Sequence, residues 1–307
     1  MGDKRIIQPG EILPPSQDAP FVRLPERKSL FAARAVRLSG LSHGHSMAPF
    51  LQFAAALMQV QQELLDAFPA VPLPNSDQVE RCREHGMPPV SPDGWARDPA
   101  WRGAFASFLQ RLQAGDNVQL ASAFQHLQAQ PVEALEKMAN AMLAGQYSVV
   151  DSRLAPFIGA ALQVYWSHMV TTLGAAVFSR TATPTVCPAC GSPPTGSIVH
   201  SGGIAHGMRY LHCSLCATAW HMVRIKCSHC EATEGVNYFG LEAIFPATKA
   251  ESCDTCNTYL KIHYQEKDIQ VEACADDLAT LALDLLMDES GKFRSGPNLL
   301  LAPGVSG

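Results

Sequence analysis

The chain lacks any segment that is long and apolar enough to predict a membrane span. Its most apolar stretch, residues 154–170, is interrupted by Gln163, Ser167 and His168, a pattern typical of a buried helix. We interpret His168 as a hydrogen-bonded residue of the core. The first twenty residues contain neither an apolar core with a small-residue cleavage site nor a twin-arginine motif, so no secretory leader is predicted. The expected location is therefore the cytoplasm.

Positive charge and catalytic motifs are also scarce. The 307 residues carry a formal net charge of −5, and no cluster of Lys and Arg predicts binding to nucleic acid or anionic lipid. The sequence has no phosphate-binding loop, no dinucleotide-binding glycine fingerprint and no G-x-S-x-G motif. Carboxylates such as Glu133 and Glu136 are interpreted as an ordinary solvated helix face. We therefore predict a protein that is not an enzyme and whose partner is another protein.

Residues 1 to about 180 are predicted to be helical, because apolar residues recur every three or four positions and Ala, Leu and Gln dominate. Ser46 is a candidate N-cap for the first long pattern. The segments 69–76 and 86–95 are rich in Pro or Gly and predict irregular connections, the second of them an exposed loop. Helices are predicted over residues 47–68, 100–114, 117–128, 131–144 and 153–174.

Cysteine is abundant in one region only. Of ten cysteines, Cys82 and Cys274 are isolated and are interpreted as packing thiols, while eight lie in four Cys-x-x-Cys pairs. The gaps between successive pairs are 22, 10 and 22 residues, so a shift of 40 residues superimposes the first two pairs on the last two. The same shift lays Ile198–Val199 on Tyr238–Phe239, which describes matching strands. The spacing indicates an internal repeat.

Each repeat can close its own tetrahedral all-sulfur site, since it supplies two turns that carry two thiolates each. An arrangement in which the first and third pairs share one ion, and the second and fourth another, requires both halves to fold together and is the weaker hypothesis. We predict two metal sites, the first formed by Cys187, Cys190, Cys213 and Cys216, and the second by Cys227, Cys230, Cys253 and Cys256.

The ligand set does not distinguish zinc from a single iron, because both accept four thiolates. In "CPACG" a glycine follows the second thiolate, as in rubredoxin, where it permits positive φ. Of the corresponding residues Ala217, Glu231 and Asn257, only Asn257 adopts that conformation readily. A closed site has no open position for substrate, so a structural role is the common one and hydrolytic catalysis is not expected. No histidine is required as a ligand, and His229 is expected to project into solvent.

The chain resembles the formate dehydrogenase accessory protein family FdhE. The resemblance is carried by "APFIGAALQVYW", "CPACGSPPTGSIV", "GMRYLHCSLCATAWHMVRIKCSHC", "KAESCDTCNTYLKIHYQEK" and "VEACADDLATLALD". It implies a cytoplasmic assembly factor that binds the catalytic subunit of a respiratory, molybdenum-containing formate dehydrogenase. It also implies iron held in a rubredoxin-like manner by the eight motif cysteines, in two mononuclear sites, with zinc as the alternative. The lead and the tail "GPNLLLAPGVSG" carry no motif of the family.

The predicted fold class is α+β, with an N-terminal all-α bundle, tandem rubredoxin-like or zinc-ribbon-like four-cysteine modules and a C-terminal helix. The predicted domains are residues 1–180, 181–226, 227–270 and 271–307, with a loosely held tail from Gly291. Two other functions stay open. A zinc-ribbon nucleic-acid binder is opposed by six Lys or Arg against seven Asp or Glu in residues 181–270. A thiol-disulfide oxidoreductase is opposed by the number and regular spacing of the thiols. Homo-oligomerisation is left open.

Overall fold

The computed structural model describes residues 19–93, 96–112 and 118–301. The predictions for the first eighteen residues, for the end of the 86–95 loop, for 113–117 and for the last six residues lie outside them. The helices are α1 Leu30–Ser42, α2 Ala48–Asp66, α3 Ser76–Glu84, α4 Ala100–Arg111, α5 Val118–Gln128, α6 Val132–Leu143, α7 Ala155–Leu173, α8 Ala273–Ala279 and α9 Leu281–Glu289. The strands are β1 Val22–Arg23, β2 Pro194–Val199, β3 Arg209–Cys213, β4 Ala219–His221, β5 Val236–Gly240, β6 Thr248–Cys253, β7 Thr258–Tyr264 and β8 Phe293–Arg294.

Helix α7 is the centre of the N-terminal helices. It is apolar on every face, as a helix surrounded by others must be, and it packs against α2, α4 and α6. Its polar residues are satisfied inside the core: Gln61 donates to Gln163 Oε1 over 3.1 Å. Arg27 Nη1 lies 3.0 Å from His168 Nδ1, and burial together with the Arg27 charge lowers the pKa of His168 to about 4. His168 is thus a hydrogen-bonded core residue, as predicted.

The predicted helices are present, with differences at their ends and between them. Ser46 does not cap α2; the N-cap is Met47, whose side chain makes no capping hydrogen bond. Helix α3 was missed because it buries no residue and is held by a capping box between Asn75 and Gln78, which carries no apolar periodicity. Helix α1 was missed as well. Glu136 is not part of a merely solvated face, since it accepts a 2.9 Å hydrogen bond from Trp101 Nε1 and pairs with two arginines of the α4 region.

All eight strands of the described residues belong to one sheet. Strands β2, β3 and β4 form an antiparallel unit, and β5, β6 and β7 form a second one. The units are joined where β2 pairs with β7 in parallel, which gives the order β1-β4-β3-β2-β7-β6-β5, with β8 also on β7. The 40-residue repeat of the sequence is therefore a repeat of structure.

The register of the two units corrects one detail of the sequence alignment. Val199 pairs with Arg209 in the first unit, and Gly240 pairs with Lys249, the counterpart of Arg209, in the second. The counterpart of Val199 is consequently Gly240, one residue further on than a uniform 40-residue shift predicts. The cause is a longer connection in the second unit: two more residues separate Cys230 from Val236 than separate Cys190 from Pro194, and the extra residue of β2 between Pro194 and Gly196 offsets only one of them.

The C-terminal segment packs back onto both parts of the molecule. It forms two helices rather than one, because the chain breaks at Thr280, whose hydroxyl donates to the carbonyl of Asp276 over 2.7 Å. Helix α8 contacts α1 and β2. The expectation of a loose tail from Gly291 is wrong as far as residue 301. There β8 joins the sheet, Leu299 and Leu300 are buried, and a Cβ at Gly296 would lie 1.7 Å from the Pro194 carbonyl oxygen. The predicted fold class is confirmed, whereas the domain bounds stay a prediction.

Candidate metal centres

Each Cys-x-x-Cys pair lies in a tight turn, here called a knuckle: knuckle 1 is 187–190, knuckle 2 is 213–216, knuckle 3 is 227–230 and knuckle 4 is 253–256. In knuckles 1 and 3 the residue after the second cysteine donates its N–H to the carbonyl of the first, over 2.8 Å to Cys187 and 3.1 Å to Cys227. Knuckles 2, 3 and 4 also aim backbone N–H groups at a sulfur. Leu215 N, for example, lies 3.3 Å from Cys213 Sγ, and His229 N lies 3.4 Å from Cys227 Sγ. Such donors stabilise the thiolate that a metal requires.

The residue that ends each knuckle is left-handed. Gly191 has φ +78°, and among the described residues the non-glycine residues with positive φ are Ala217 at 58°, Glu231 at 61° and Asn257 at 58°. Three different side chains thus accept a conformation that costs an L-residue about 1–2 kcal/mol. All four knuckles have the geometry that the sequence suggested for the first and that Asn257 allows readily in the fourth. The sequences of knuckles 2 and 3 did not indicate this geometry, because Ala and Glu are uncommon at positive φ.

The first centre comprises Cys187, Cys190, Cys213 and Cys216, whose sulfur atoms all lie within 4.8 Å of one another. Cys190 Sγ is 3.4 Å from Cys213 Sγ and 3.6 Å from Cys216 Sγ, and Cys187 Sγ is 3.6 Å from Cys216 Sγ. A metal–sulfur bond of about 2.3 Å in a tetrahedron requires sulfur atoms about 3.8 Å apart. None of the cysteines is in a disulfide. The group therefore fits one metal ion.

The second centre repeats this arrangement with Cys227, Cys230, Cys253 and Cys256, again within 4.8 Å of one another. Cys227 Sγ lies 3.7 Å from Cys256 Sγ, and Cys230 Sγ lies 3.7 Å from Cys253 Sγ. The structure groups the sulfur atoms by repeat, so the interleaved arrangement is wrong. Neighbouring knuckles 2 and 3 belong to different centres. Each group could hold a metal ion, and nothing in the sulfur geometry separates iron from zinc.

The helical region encloses the first centre on two sides. Gln163 of α7 donates to the carbonyl of Ser214 in knuckle 2 over 2.8 Å, and Ser167 lies 3.5 Å from the carbonyl of Cys216. Val90 N bonds the carbonyl of Ala189 in knuckle 1 over 3.0 Å, and Trp166 Nε1 of α7 holds the Val90 carbonyl over 2.9 Å. Val90, expected to lie in an exposed loop, is instead buried and supports knuckle 1, so that expectation is wrong for Val90, whereas Met87 and Asp93 of the same segment are exposed.

The second centre is supported from the C-terminal segment and is open elsewhere. Lys292 Nζ lies 3.4 Å from the Cys253 carbonyl and forms a 2.7 Å ion pair with Asp254, while Asn257 donates to the Gly291 carbonyl over 2.8 Å. Cys227 and Cys253 are buried, but Cys230 is exposed and Cys256 is partly exposed. His229 projects into solvent, as predicted, and belongs to neither cluster. One edge of this centre therefore faces solvent.

The cysteines within each centre differ in pKa, because burial and hydrogen bonds act on them to different extents. Burial raises the pKa of Cys187 and Cys213 well above that of a free thiol. Burial acts in the same direction on Cys190, but hydrogen bonds from the neighbouring thiols outweigh it and lower its pKa. In the second centre burial raises the pKa of Cys227 to about 12. At Cys253 the same effect is outweighed by N–H groups of Cys256 and Thr255, and the pKa falls to about 7. A metal must therefore displace protons, so binding strengthens as pH rises.

A buried ion pair connects the two units near the second centre. Arg209 of β3 donates to Glu251 of β6 over 2.8 Å and to the Lys226 carbonyl over 3.2 Å, and Tyr238 donates to the same carboxylate over 3.1 Å. Sequence reasoning missed this pair, because its members lie 42 residues apart and on different strands. It also missed Gln163 and Ser167, whose only signal was their presence in the most apolar helix.

Beyond the two clusters, the described residues contain no further group of three or more His, Cys, Asp or Glu side chains close enough to hold a metal. Cys274 is buried beside Asn298 and Cys82 is partly buried, in agreement with packing roles. No helix within the described ranges combines the length and apolarity that crossing a bilayer requires.

Comparison with known proteins covers nearly the whole chain. Residues 19–182 match the family model "FdhE, N-terminal", 186–224 match "FdhE, central domain" and 225–301 match "FdhE, C-terminal domain". A protein FdhE homolog of Pseudomonas aeruginosa is 42% identical over 306 residues, covering 98% of this chain and 99% of its own. One of Edwardsiella ictaluri is 43% identical over 282 residues, covering 92% and 91%. The crystal structure of the FdhE protein from P. aeruginosa matches with a TM-score of 0.85 and 42% identity, covering 93% of this chain and all of that one.

Proposed function

The chain belongs to the FdhE family, and from this premise we propose that it is a metal-dependent assembly factor for a respiratory formate dehydrogenase. It would bind the catalytic subunit of that enzyme before the enzyme is complete, and aid the formation of active enzyme without catalysing a reaction itself. The proposed location is the cytoplasm, where an unfinished subunit is available.

The observation that carries the proposal is the pair of closed four-thiol clusters on one sheet. Every ligand position of a tetrahedral ion is already taken by sulfur, so neither centre offers a site for substrate. A protein with two such centres and no other metal-ligating cluster in its described part is suited to recognition and support rather than to hydrolysis.

We propose that the eight knuckle cysteines are the metal ligands, four to each ion, and that the ions are iron in a rubredoxin-like environment. Iron bound in this way supplies a one-electron couple, whereas zinc would supply shape alone. The protein's own contribution is to keep four thiolates at the required spacing and to donate backbone N–H groups to them. In this proposal residues 1–180 are the helical domain, 181–226 and 227–270 the two ribbons, and 271–307 the segment that closes the structure.

The two alternatives are less well supported. A thiol-disulfide oxidoreductase places its reactive pair at the start of a helix, which lowers the thiol pKa. Here the four pairs lie in turns at the ends of strands, and the next helix, α8, begins at Ala273. A nucleic-acid binder requires a basic surface, and the ribbons carry a slight excess of acidic residues.

Co-purification tests the proposal. The full chain would be tagged and isolated under anaerobic conditions from cells that make the respiratory enzyme, and the bound proteins and metals identified. We expect the formate dehydrogenase catalytic subunit, and two irons per chain to match the two clusters. The visible absorption of ferric thiolate should bleach on reduction and return on oxidation.

A matched variant in which Cys227 and Cys230 are both serine keeps the first centre and should retain about one iron per chain, as expected from one intact cluster. Recovery of zinc with the catalytic subunit would remove the redox part of the proposal and leave the assembly role. Absence of the catalytic subunit from the wild-type preparation would remove the assembly role.

A further inference from the structure

One edge of the first ribbon is occupied by a strand, and the equivalent edge of the second ribbon is not. The outer edge of β2 accepts β7 in parallel, with Ser197 opposite Ile262 and Val199 opposite Tyr264, and Gln265 N donates to the Val199 carbonyl over 3.1 Å. By the register given above, β5 is the counterpart of β2. In the part of the chain that the structure describes, no strand pairs with the outer edge of β5, which ends the sheet.

The backbone of β5 is arranged to accept a strand. Asp254 N donates to the Gly235 carbonyl over 2.9 Å, which fixes the alternation of the ladder with β6. In an antiparallel pair every second residue bonds the partner strand, so Asn237 and Phe239 bond β6. Val236, Tyr238 and Gly240 direct their N–H and C=O groups outward. Tyr238 and Gly240 are the counterparts of Ser197 and Val199, the β2 residues that face β7.

Strand β5 lacks the residues that usually prevent an edge strand from pairing with another chain. Natural edge strands are kept from pairing by Lys, Pro, bulges or a covering element. Strand β5 reads VNYFG and contains neither Lys nor Pro. Three of its five residues are apolar and two of these are exposed, since Tyr238 keeps 46% of its surface and Phe239 37%, and Ile244 beyond the strand keeps 66%; Asn237 is polar and exposed. Since neighbouring residues of a strand point to opposite faces, an incoming strand would find an apolar contact on both.

We propose that the outer edge of β5 binds an extended segment of the client polypeptide, which adds to the sheet parallel to β5 as β7 adds to β2. The inference rests on the proposed function, because the client is the catalytic subunit named there. The segment would be short, without charge at its centre, and apolar on both sides. Main-chain hydrogen bonds would provide affinity, and the exposed aromatic residues would provide specificity for apolar client segments, as in other strand-addition complexes.

The parallel direction favours a client over a second copy of this chain. Two copies related by a two-fold axis would pair β5 with itself, which makes the strands antiparallel. At the equivalent edge of β2, by contrast, the added strand β7 runs parallel to β2. Strand β5 begins at Val236, opposite Cys253, so an added strand would lie about 10 Å, two strand spacings, from the strand that carries this thiolate. The client would thus be held next to the exposed centre.

Residue-resolved hydrogen exchange tests the proposal on the unaltered, metal-loaded chain, with the purified cofactor-free catalytic subunit as the probe. In the free protein the amides of Val236, Tyr238 and Gly240 should exchange rapidly, while those of Asn237 and Phe239 are protected by β6. Complex formation should protect the first three as well. A complex that forms while these three amides stay unprotected overturns the proposal and leaves the assembly function intact, whereas failure of any complex to form overturns both.

A matched pair of variants provides the second measurement. V236P removes an outward N–H that β6 does not use, and V236A trims the same side chain while keeping the N–H. We expect V236P to bind the catalytic subunit about tenfold more weakly than V236A, which is at the upper end of the effect of one lost hydrogen bond. Both should keep two metals per chain. Equal binding of the two, or protection that appears on concentrating the protein without the catalytic subunit, contradicts the proposal.

Discussion

The two four-cysteine centres have the same ligands, the same spacing and the same strand order, yet they occupy different environments. All four cysteines of the first are part of the main hydrophobic core, in contact with residues of the helices. The second centre lies in the second ribbon, and its Cys230 is exposed. A duplicated unit therefore need not keep the same surroundings or the same role in the fold. The first centre joins the helical region to the sheet, whereas the second presents its metal-binding edge at the surface.

Removal of the same ligand from each centre should produce the largest difference between them. Cys190 and Cys230 are counterparts, so Cys190→Ser and Cys230→Ser delete equivalent thiolates. Metal binding contributes on the order of 10 kcal/mol to such a unit, which equals the whole stability of many domains. We expect Cys190→Ser to lose its metal and to unfold the helical region, because that centre is part of its core. Cys230→Ser should lose one metal and keep the helices.

Elemental analysis together with thermal unfolding followed by far-ultraviolet circular dichroism measures both effects. If Cys230→Ser reduces the helical signal as strongly as Cys190→Ser, the two centres are not distinguished by their surroundings and the comparison fails.

Metal removal gives the next largest difference. A chelator has to approach a ligand from solvent, and only the second centre exposes a cysteine. We expect two phases of metal loss, with the second centre at least about tenfold faster, since opening the first requires partial unfolding of a core. Release can be followed with a coloured chelator. The fast phase should be absent from Cys230→Ser, and a single phase in the wild-type protein would contradict the prediction.

A smaller effect is expected where α7 meets knuckle 2. Gln163→Leu leaves the carbonyl of Ser214 and the amide of Gln61 without this partner in a buried place, which costs about 1–3 kcal/mol. The first centre should then release metal faster, while the second is unchanged. Gln110→Leu, on the exposed side of α4, is the matched control and should leave the free energy of unfolding within about 0.5 kcal/mol. Equal effects of the two variants would show that α7 does not support the knuckle.

The smallest effect concerns the left-handed residue of knuckle 3. Glu231→Ala and Glu231→Gly both remove the exposed ion pair with Lys226, but only glycine relieves the strain of φ +61°. The glycine variant should therefore be about 1 kcal/mol more stable than the alanine variant. Chemical denaturation of the metal-loaded protein measures the difference. A more stable alanine variant would mean that the knuckle imposes no strain.

The metal centres were the most predictable part of the structure, and their surroundings the least. A cysteine repeat has an unambiguous period, so the grouping of sulfur atoms by repeat followed from spacing alone. The contacts of Val90 with Ala189 and of Gln163 with Ser214 join residues distant in sequence, and no local periodicity reports them. Short strands behave in the same way: β1 and β8 contain two residues each, and they exist because β4 and β7 offer edges beside them.

The helices also differ in how well the sequence predicts them. Patterns of apolar residues located α2 and α4–α7, because these helices bury a stripe against one another. Helix α3 has no buried face, so the only sequence signal for it was its capping residues. The break at Thr280 was likewise invisible to periodicity, since a threonine hydroxyl that bonds the preceding turn leaves the apolar pattern unchanged.

The parallel pairing of β2 with β7 has a consequence for how the chain is made. Val199 meets Tyr264, which the ribosome adds 65 residues later, roughly 3 to 13 seconds at about 5–20 residues per second. During that interval a nascent chain can load its first ion while β2 still presents a bare edge. The ion pair of Arg34 with Glu272 spans 238 residues. The contact of the N-terminal helices with the C-terminal segment can therefore form only near the end of translation. A chain built in this way leaves the edge of β2 open to pairing with other strands until most of the chain has been synthesised.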